Sequence, residues 1–402
     1  MAPSIRNPAV VAPVKTVEAI RHHSPQAAID GDSYWNWPAD VVDTDLSENS
    51  VPESSETEHC AVDTTDNKPD LEQGKQDDTT FVDDDAYWAE EPCCENKTVD
   101  VDYSIDYSSR SILGKGTRTT VRKAICRTTN DRFAIKSVRK IHTKEASILK
   151  QEASILSQLR HENIAQCHRV YEDSKSIHLV LDLCKGKEVY EEVALLAKQK
   201  KTLSESTAAA IVRQVLQAVA YCHDRGIVNR DIKLENLMFQ SKYKKCSQDK
   251  IRMVDFGLAT RISSGTGQML TEKAGSPYYV APEVLNECYN EKCDIWSLGV
   301  LTYALLCGEA PFVGASTADT LDKIRAATST ADIFHQAVWH HVSNDAKEFI
   351  RACLERDLDT RPSAQQLTEH PWIVHHHHHA SKKKQPTSPM SKFLHKAFGG
   401  HR

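Results

Sequence analysis

The sequence predicts an α+β protein of two lobes with a cleft between them, and three observations predict it. Short β-rich runs begin near residue 104: "SSRSILGKG", "TTVRKAICR", "RFAIKSVRK" and "SIHLVLDLC". One helical pattern interrupts them at 145–159, where Ile148, Leu149, Glu152, Ile155, Leu156 and Leu159 recur at helical spacing. After residue 203 helical patterns dominate.

The helical half reads in order. "AAAIVRQVLQAVAYCHDRG" places Ile211, Val212, Val215, Leu216 and Val219 on one face, and Gly226 closes the helix. "IWSLGVLTYALLC" (295–307) is the most apolar run, too short to span a bilayer and suited to a buried core helix. The ordered part is expected to end near "HPWIV" (370–374), giving a folded domain over 104–373. A histidine run, His375 to His379, and a basic tail follow, and the run is read as having no bearing on the fold. Phe393, Leu394, Ala397 and Phe398 stand beside lysines at the spacing of a short basic amphipathic helix. That is a calmodulin-target or membrane-surface pattern, with a polar tail as the alternative.

The first hundred residues are different material. They hold 23 Asp/Glu and 6 Lys/Arg, a net of −17, whereas the remaining 302 carry a net of +11. Little apolar periodicity is present, so residues 1–103 are expected to be disordered: too little surface would be buried to offset ordering entropy. Two aromatic islands, "SYWNWPAD" (33–40) and "DDDAYWAEEP" (83–92), are either scattered aromatics or docking motifs.

The twelve cysteines form no CxxC pair, and most lie in apolar segments, which suits reduced thiols in a reducing compartment. The N-terminus has no apolar core of signal-peptide length and no Met-Gly start. A soluble, cytoplasmic protein is expected, with nuclear access open. Neither a nucleic-acid partner nor a membrane span is expected.

Four segments carry chemistry. "LGKGTRTTV" (113–121) sets Gly114 and Gly116 in a hairpin whose backbone N–H groups can approach phosphate oxygens. "FAIK" puts Lys136 on a strand, and Glu152 on the following helix is its natural carboxylate partner. "NRDIKLENL" (229–237) supplies Asp231 to accept a hydroxyl proton, Lys233 to neutralise a transferring phosphoryl group, and Asn236 to ligate a divalent ion. "MVDFGLA" supplies Asp255, a carboxylate for Mg²⁺. Each has a mundane alternative, but the ordered series GxG, AIK, Glu, RDxKxxN, DFG, APE has almost none.

On these motifs residues 105–373 resemble the eukaryotic protein kinases. "AGSPYYVAPEVL", "CDIWSLGVLTYALLCGEAPF" and "DLDTRPSAQQLTEHPWI" look most like the calcium- and calmodulin-dependent group, especially the calcium-dependent kinases of plants and protists. The resemblance implies a bilobal kinase fold, ATP as co-substrate and Mg²⁺ as cofactor. It implies that Leu113, Val121, Ala134 and Met238 enclose the purine. Leu181 would stand at the gatekeeper position, and Asp182 to Cys184 would form a hinge. Glu188 would serve the ribose hydroxyls or a substrate arginine, and Glu235 would help read that arginine. Glu283 would pair with Arg361. Lys233 and Ser276 imply serine/threonine specificity, with protein substrates carrying a basic motif.

The chain departs from the family pattern at three places. Asn229 stands where histidine is usual, Arg118 where the hairpin tip is aromatic, and Thr119 where a third glycine is expected. The family's histidine packs on the DFG phenylalanine, here Phe256, and is no acid, base or ligand, so active chemistry is expected. The alternative is a pseudokinase scaffold that binds nucleotide or partners without turnover. Glu272 either satisfies Arg230 without phosphorylation or is simply solvated, and Thr271 is the nearest phosphosite. The EF-hands of full calcium-dependent kinases have no counterpart after residue 373.

Overall fold

The computed structural model describes residues 94–95, 98–116, 118–242, 249–263, 267–327 and 331–382. The first lobe is built on β1 (Cys94–Glu95), β2 (Tyr103–Ile105), β3 (Ile112–Lys115), β4 (Thr119–Cys126), β5 (Arg132–Arg139), helix α1 (Thr143–Leu156), β6 (Cys167–Glu172) and β7 (Ser176–Asp182). The sheet order is β1-β6-β7-β5-β4-β2, and β3 pairs with β4 as well. The β1–β6 pair is parallel and the other strand pairs are antiparallel.

Alternation along β5 divides the lobe into two faces. Ile135 turns outward and joins Val99, Tyr103, Ala124, Tyr171 and Val180 in one cluster. Ala134 and Val138 turn the other way, into the cluster that holds Ala146, Leu149 and Ala153 of α1. The register carries this across strands: Ile135 lies opposite Val180, and Ala134 opposite Leu181.

The outer cluster corrects the expected boundary at residue 104. Val99 and Tyr103 are buried, and the Tyr103 ring meets Phe133 and Tyr171 edge-on at 5.5 and 6.0 Å. Tyr171 donates its hydroxyl to Asp102 Oδ2 at 2.7 Å. The folded unit therefore starts ahead of residue 104, because an outer sheet face lined with Ile135 and Val180 needs an apolar cover. The rest of the expected disordered region, with both aromatic islands, lies outside the described residues apart from β1.

The second lobe contains α2 (Val189–Lys198), α3 (Glu205–His223), β8 (Ile227–Val228), β9 (Leu237–Phe239), β10 (Ile251–Met253), β11 (Thr260–Arg261), α4 (Pro282–Leu285), α5 (Cys293–Cys307), α6 (Thr317–Ala326), α7 (Asn344–Cys353), α8 (Ala364–Thr368) and α9 (Pro371–Lys382). Ser204 caps α3 by accepting the Thr207 N–H. The five apolar residues expected on its inner face are all buried. Helix α5 is buried from Cys293 to Leu306, as its uniform hydrophobicity predicts, and Gly308 ends it in the left-handed region at φ 85°. Arg361 is fully buried; its Nη2 donates to Glu283 Oε2 at 3.1 Å and its Nη1 to Lys292 O at 2.9 Å. Among the described residues no helix is long and apolar enough to cross a membrane.

The chain end also differs from expectation. Helix α9 runs through the histidine run instead of stopping at residue 373. Trp372 Nε1 donates to Glu205 Oε1 at 2.9 Å, and His376 Nε2 lies 3.3 Å from the same oxygen. The run therefore bears on the fold: it continues a helix already seated on α3 and α7, and His376 shares Glu205 with Trp372. The basic tail with Phe393 to Phe398 lies outside the described residues.

A chain begun at residue 104 should be less stable. Burying a Val- or Phe-sized side chain contributes about 1.5–3 kcal/mol, so losing Val99 and Tyr103 should lower the denaturant midpoint relative to a chain begun at residue 94. Equal midpoints would show that the outer face needs no cover.

Candidate active site

The register of the first sheet places part of the site. Gly114 lies opposite Val121, and Val121 opposite Lys136. Ala134 is two residues from Lys136 on the same strand, so Val121, Ala134 and Lys136 share one face. Leu181, opposite Ala134, joins them and is buried. Met238 enters from the other lobe on β9, where its backbone bridges to Glu188. Leu113 precedes Gly114 on β3 and its side chain is exposed.

Asp182 ends β7 at the start of the hinge segment. It spends its N–H on Gln166 O at 3.0 Å, and its carboxylate lies 2.7 Å from His168 Nε2. These contacts tie the end of β7 to Gln166 and to His168 on β6. Cys184 is half-buried, with its thiol pushed up to about 12 by burial, so it stays neutral.

Helix α1 carries Glu152 into the cleft fully buried. Its two oxygens lie 2.8 and 2.6 Å from Lys136 Nζ, and Asp255 Oδ1 lies 3.1 Å from the same nitrogen. Burial alone would depress the lysine, but Asp255 and Glu152 outweigh it and hold the ammonium above its ordinary pKa. The Gly257 N–H donates to Asp255 Oδ1 at 3.0 Å, which fixes the carboxylate rotamer.

The catalytic loop forms a second knot. Lys233 Nζ lies 2.7 Å from Asp231 Oδ2 and donates to Ser276 Oγ at 2.9 Å. Ser276 donates onward to Asp231 Oδ1 at 2.7 Å. Asn236 Nδ2 donates to both Asp231 O and Asp231 Oδ2, at 2.9 Å each. Burial pushes Lys233 down, but Asp231 and Glu235 more than compensate and leave it above the usual lysine value. Burial pushes the Glu235 carboxyl up to about 7, against the pull of Lys233, and Asp231 and Glu188 add to the rise.

The residues present fit Mg²⁺. Both bonds to Asp231 come from Asn236 Nδ2, which leaves the amide Oδ1 for a cation. The Asp255 side chain is 43 % exposed despite its bonds through Oδ1. One carboxylate and one amide oxygen, completed by phosphate and water, suit this hard, oxygen-seeking ion. Asp255 and Asn236 would hold it, and when bound it neutralises charge on the phosphate oxygens.

Asn229 answers the missing histidine. Its Nδ2 donates to Asp255 O at 3.2 Å, and its Oδ1 accepts the Asp231 N–H at 3.1 Å. One amide thus joins the loop carrying Asp231 to the segment carrying Asp255. Arg230 beside it has φ 65°, a left-handed conformation unfavourable for a side chain of this size. Asp294 holds it there. This buried carboxylate accepts the Asn229 and Arg230 N–H groups at 2.8 Å each and lies 2.9 Å from His223 Nε2. Gly275 is required opposite: it has φ 120°, and an added Cβ would come within 2.9 Å of Arg230 O.

The Arg230 side chain reaches Glu272 Oε2 and Tyr289 OH, at 3.1 Å each, and Leu258 O at 2.7 Å. The expected Arg230–Glu272 contact is therefore formed. Sequence reasoning missed Asp294 and the Ser276 bridge. A charged residue opening the apolar run at 293–307 was the available signal for Asp294.

Two lobes, a strand lysine clamped by a helix glutamate, and an Asp-Lys-Asn loop facing a DFG carboxylate define a protein-kinase site. Residues 107–373 match the protein kinase domain family, and the chain belongs to it. Calcium-dependent protein kinase 3 of Plasmodium yoelii yoelii is 38% identical over 265 residues, covering 66% of this chain and 47% of the relative. Serine/threonine-protein kinase PEPKR2 of Arabidopsis thaliana is 38% identical over 271 residues, covering 67% and 53%. Serine/threonine-protein kinase 33 of Bos taurus is 33% identical over 273 residues, covering 66% and 55%. The chain thus spans about half the length of these relatives.

Replacing Asp294 by alanine should orphan two buried N–H groups, at roughly 1–3 kcal/mol each. The expected result is a lower denaturation midpoint together with impaired phosphate transfer. A variant with wild-type stability and rate would show that the loop does not depend on this carboxylate.

Proposed function

We propose that this chain is an ATP- and Mg²⁺-dependent serine/threonine protein kinase that moves the γ-phosphoryl group to a hydroxyl of a protein substrate. The observation that carries this reading is the assembled pair of knots, Glu152–Lys136–Asp255 and Lys233–Ser276–Asp231–Asn236. Lys136 is held charged for the nucleotide phosphates. Asp231 is fixed as the acceptor of the substrate proton, and Lys233 stands beside it to offset charge on the transferring group. The Asn229 bonds favour this reading over a pseudokinase scaffold, because donor and acceptor are both used to join the catalytic segments.

The reading extends to a basic recognition motif, supported by the nearby acids Glu188 and Glu235. It extends also to calcium/calmodulin-type signalling in the cytoplasm. Two supports are relatives named calcium-dependent kinases and the amphipathic spacing of Phe393, Leu394, Ala397 and Phe398 in the basic tail. Because Glu272 already meets Arg230, activation-loop phosphorylation is not needed for basal activity.

The test is phosphate transfer from Mg·ATP to an Arg-containing serine peptide by unphosphorylated enzyme, with and without calcium–calmodulin. Wild type and Thr271→Ala should both transfer phosphate, and Asp255→Asn should not. Nucleotide binding with no transfer under either condition would select the scaffold. A strict requirement for phosphorylated Thr271 would remove the role given to Glu272.

A pH profile tests the acidic subsite. With its carboxyl near 7, Glu235 is roughly one-tenth ionised a unit below that value and nine-tenths a unit above. Arginine keeps its charge throughout. The KM for the Arg peptide should therefore fall by up to about tenfold as pH rises from 6 to 8. An Arg-to-Ala peptide should show no such fall, and neither should Glu235→Gln with the Arg peptide. A KM that rises over this window would contradict the assignment.

A further inference from the structure

The hairpin between β3 and β4 closes with the Gly116 N–H donating to Thr119 O at 2.9 Å. Arg118 sits at its tip. It does not project freely: its Nη1 donates to Glu145 Oε1 in the first turn of α1, 27 residues away in sequence. The other oxygen, Glu145 Oε2, is buried without a hydrogen-bond partner. Burial alone would push the Glu145 carboxyl up; its own backbone N–H and Arg118 outweigh burial and hold it below the ordinary value.

Glu145 and Glu152 lie seven residues apart, two turns along one face of α1. The first grips the hairpin tip and the second grips Lys136. One turn of the same helix also reaches the DFG segment, with Gln151 Nε2 donating to Ala259 O at 3.0 Å. Hairpin, strand lysine and DFG segment are thus fastened to one rigid element.

We propose that Arg118 is a positioning residue that latches the phosphate hairpin to α1 through Glu145. Closure of the hairpin over the nucleotide and inward seating of Glu152 are then one coupled movement. The proposal rests on the kinase reading, in which Gly114, Gly116 and Lys136 face the nucleotide phosphates. The latch fits a hairpin with Thr119 at the third position: with less backbone freedom there, a side-chain anchor sets the closed geometry.

The test is a double-mutant cycle on the full chain, read as Mg·ADP affinity by titration calorimetry, with Arg118→Ala, Arg118→Lys, Glu145→Gln and Arg118→Ala/Glu145→Gln. Melting curves would check that each variant folds. Arg118→Ala and Glu145→Gln should each weaken binding about two- to fivefold, the scale of a partly exposed ion pair. The double variant should be no weaker than the weaker single one, and Arg118→Lys should keep most of the affinity. Molar salt should narrow the gap between wild type and the single variants measured at the same salt. Additive losses, or no loss in Arg118→Ala, would overturn the latch. Loss in Arg118→Ala with none in Glu145→Gln would also overturn it, by making Arg118 a direct phosphate contact. Binding without transfer in wild type would sink the kinase reading and leave the latch standing. A wild type that binds no nucleotide would sink both.

Discussion

The rest of this structure depends on the ion pair between Lys136 and Glu152. A buried carboxylate is costly unless it is paired, and here both of its oxygens meet one ammonium. The pair can form only if α1 lies against the sheet at the correct height and rotation. That position is in turn secured by Ala146, Leu149 and Ala153 packing on the inner sheet face. Asp255 approaches the same ammonium from the other lobe. One nitrogen therefore joins strand, helix and DFG segment, and the cleft geometry follows from its three contacts.

Asp294 plays the matching part in the second lobe. It lies at the start of an almost wholly buried helix and spends its charge on two backbone N–H groups. Those bonds hold Arg230 in a left-handed conformation and so aim Asp231 into the cleft. Asn229 then bonds to both Asp255 O and the Asp231 N–H. One amide side chain thereby joins the two catalytic segments. Local strain at Arg230 is sustained by the bond from its N–H to Asp294 on the buried helix α5.

Much of the site was legible in the sequence because its residues are chemically distinctive and closely spaced. Asp231, Lys233 and Asn236 share one loop, and Asp255 lies in a short strand–turn segment, so local chain geometry nearly fixes them. Periodicity placed Lys136 on a strand and Glu152 on a helix, and the resemblance to protein kinases supplied their partnership. Other features were not. β6 was missed because a bulge between Cys167 and Arg169 breaks the alternation that marks a strand. Val99 and Tyr103 looked like the end of an acidic tail, since two apolar residues give no period. The histidine run looked inert, since only the place of α9 beside Glu205 gives His376 a partner.

By itself, then, the sequence determined the two-lobed class, the family and which residues are candidates for the catalytic groups. Hydrophobic periodicity and motif spacing are properties of the chain and need no fold to be read. Tertiary structure alone decided which charges meet. It set Glu272 and Tyr289 on Arg230, Ser276 between Asp231 and Lys233, and Arg118 on Glu145. Those contacts join residues 27 to 59 positions apart, and their energies depend on distance and burial. Neither quantity exists until the lobes have folded and the elements have packed.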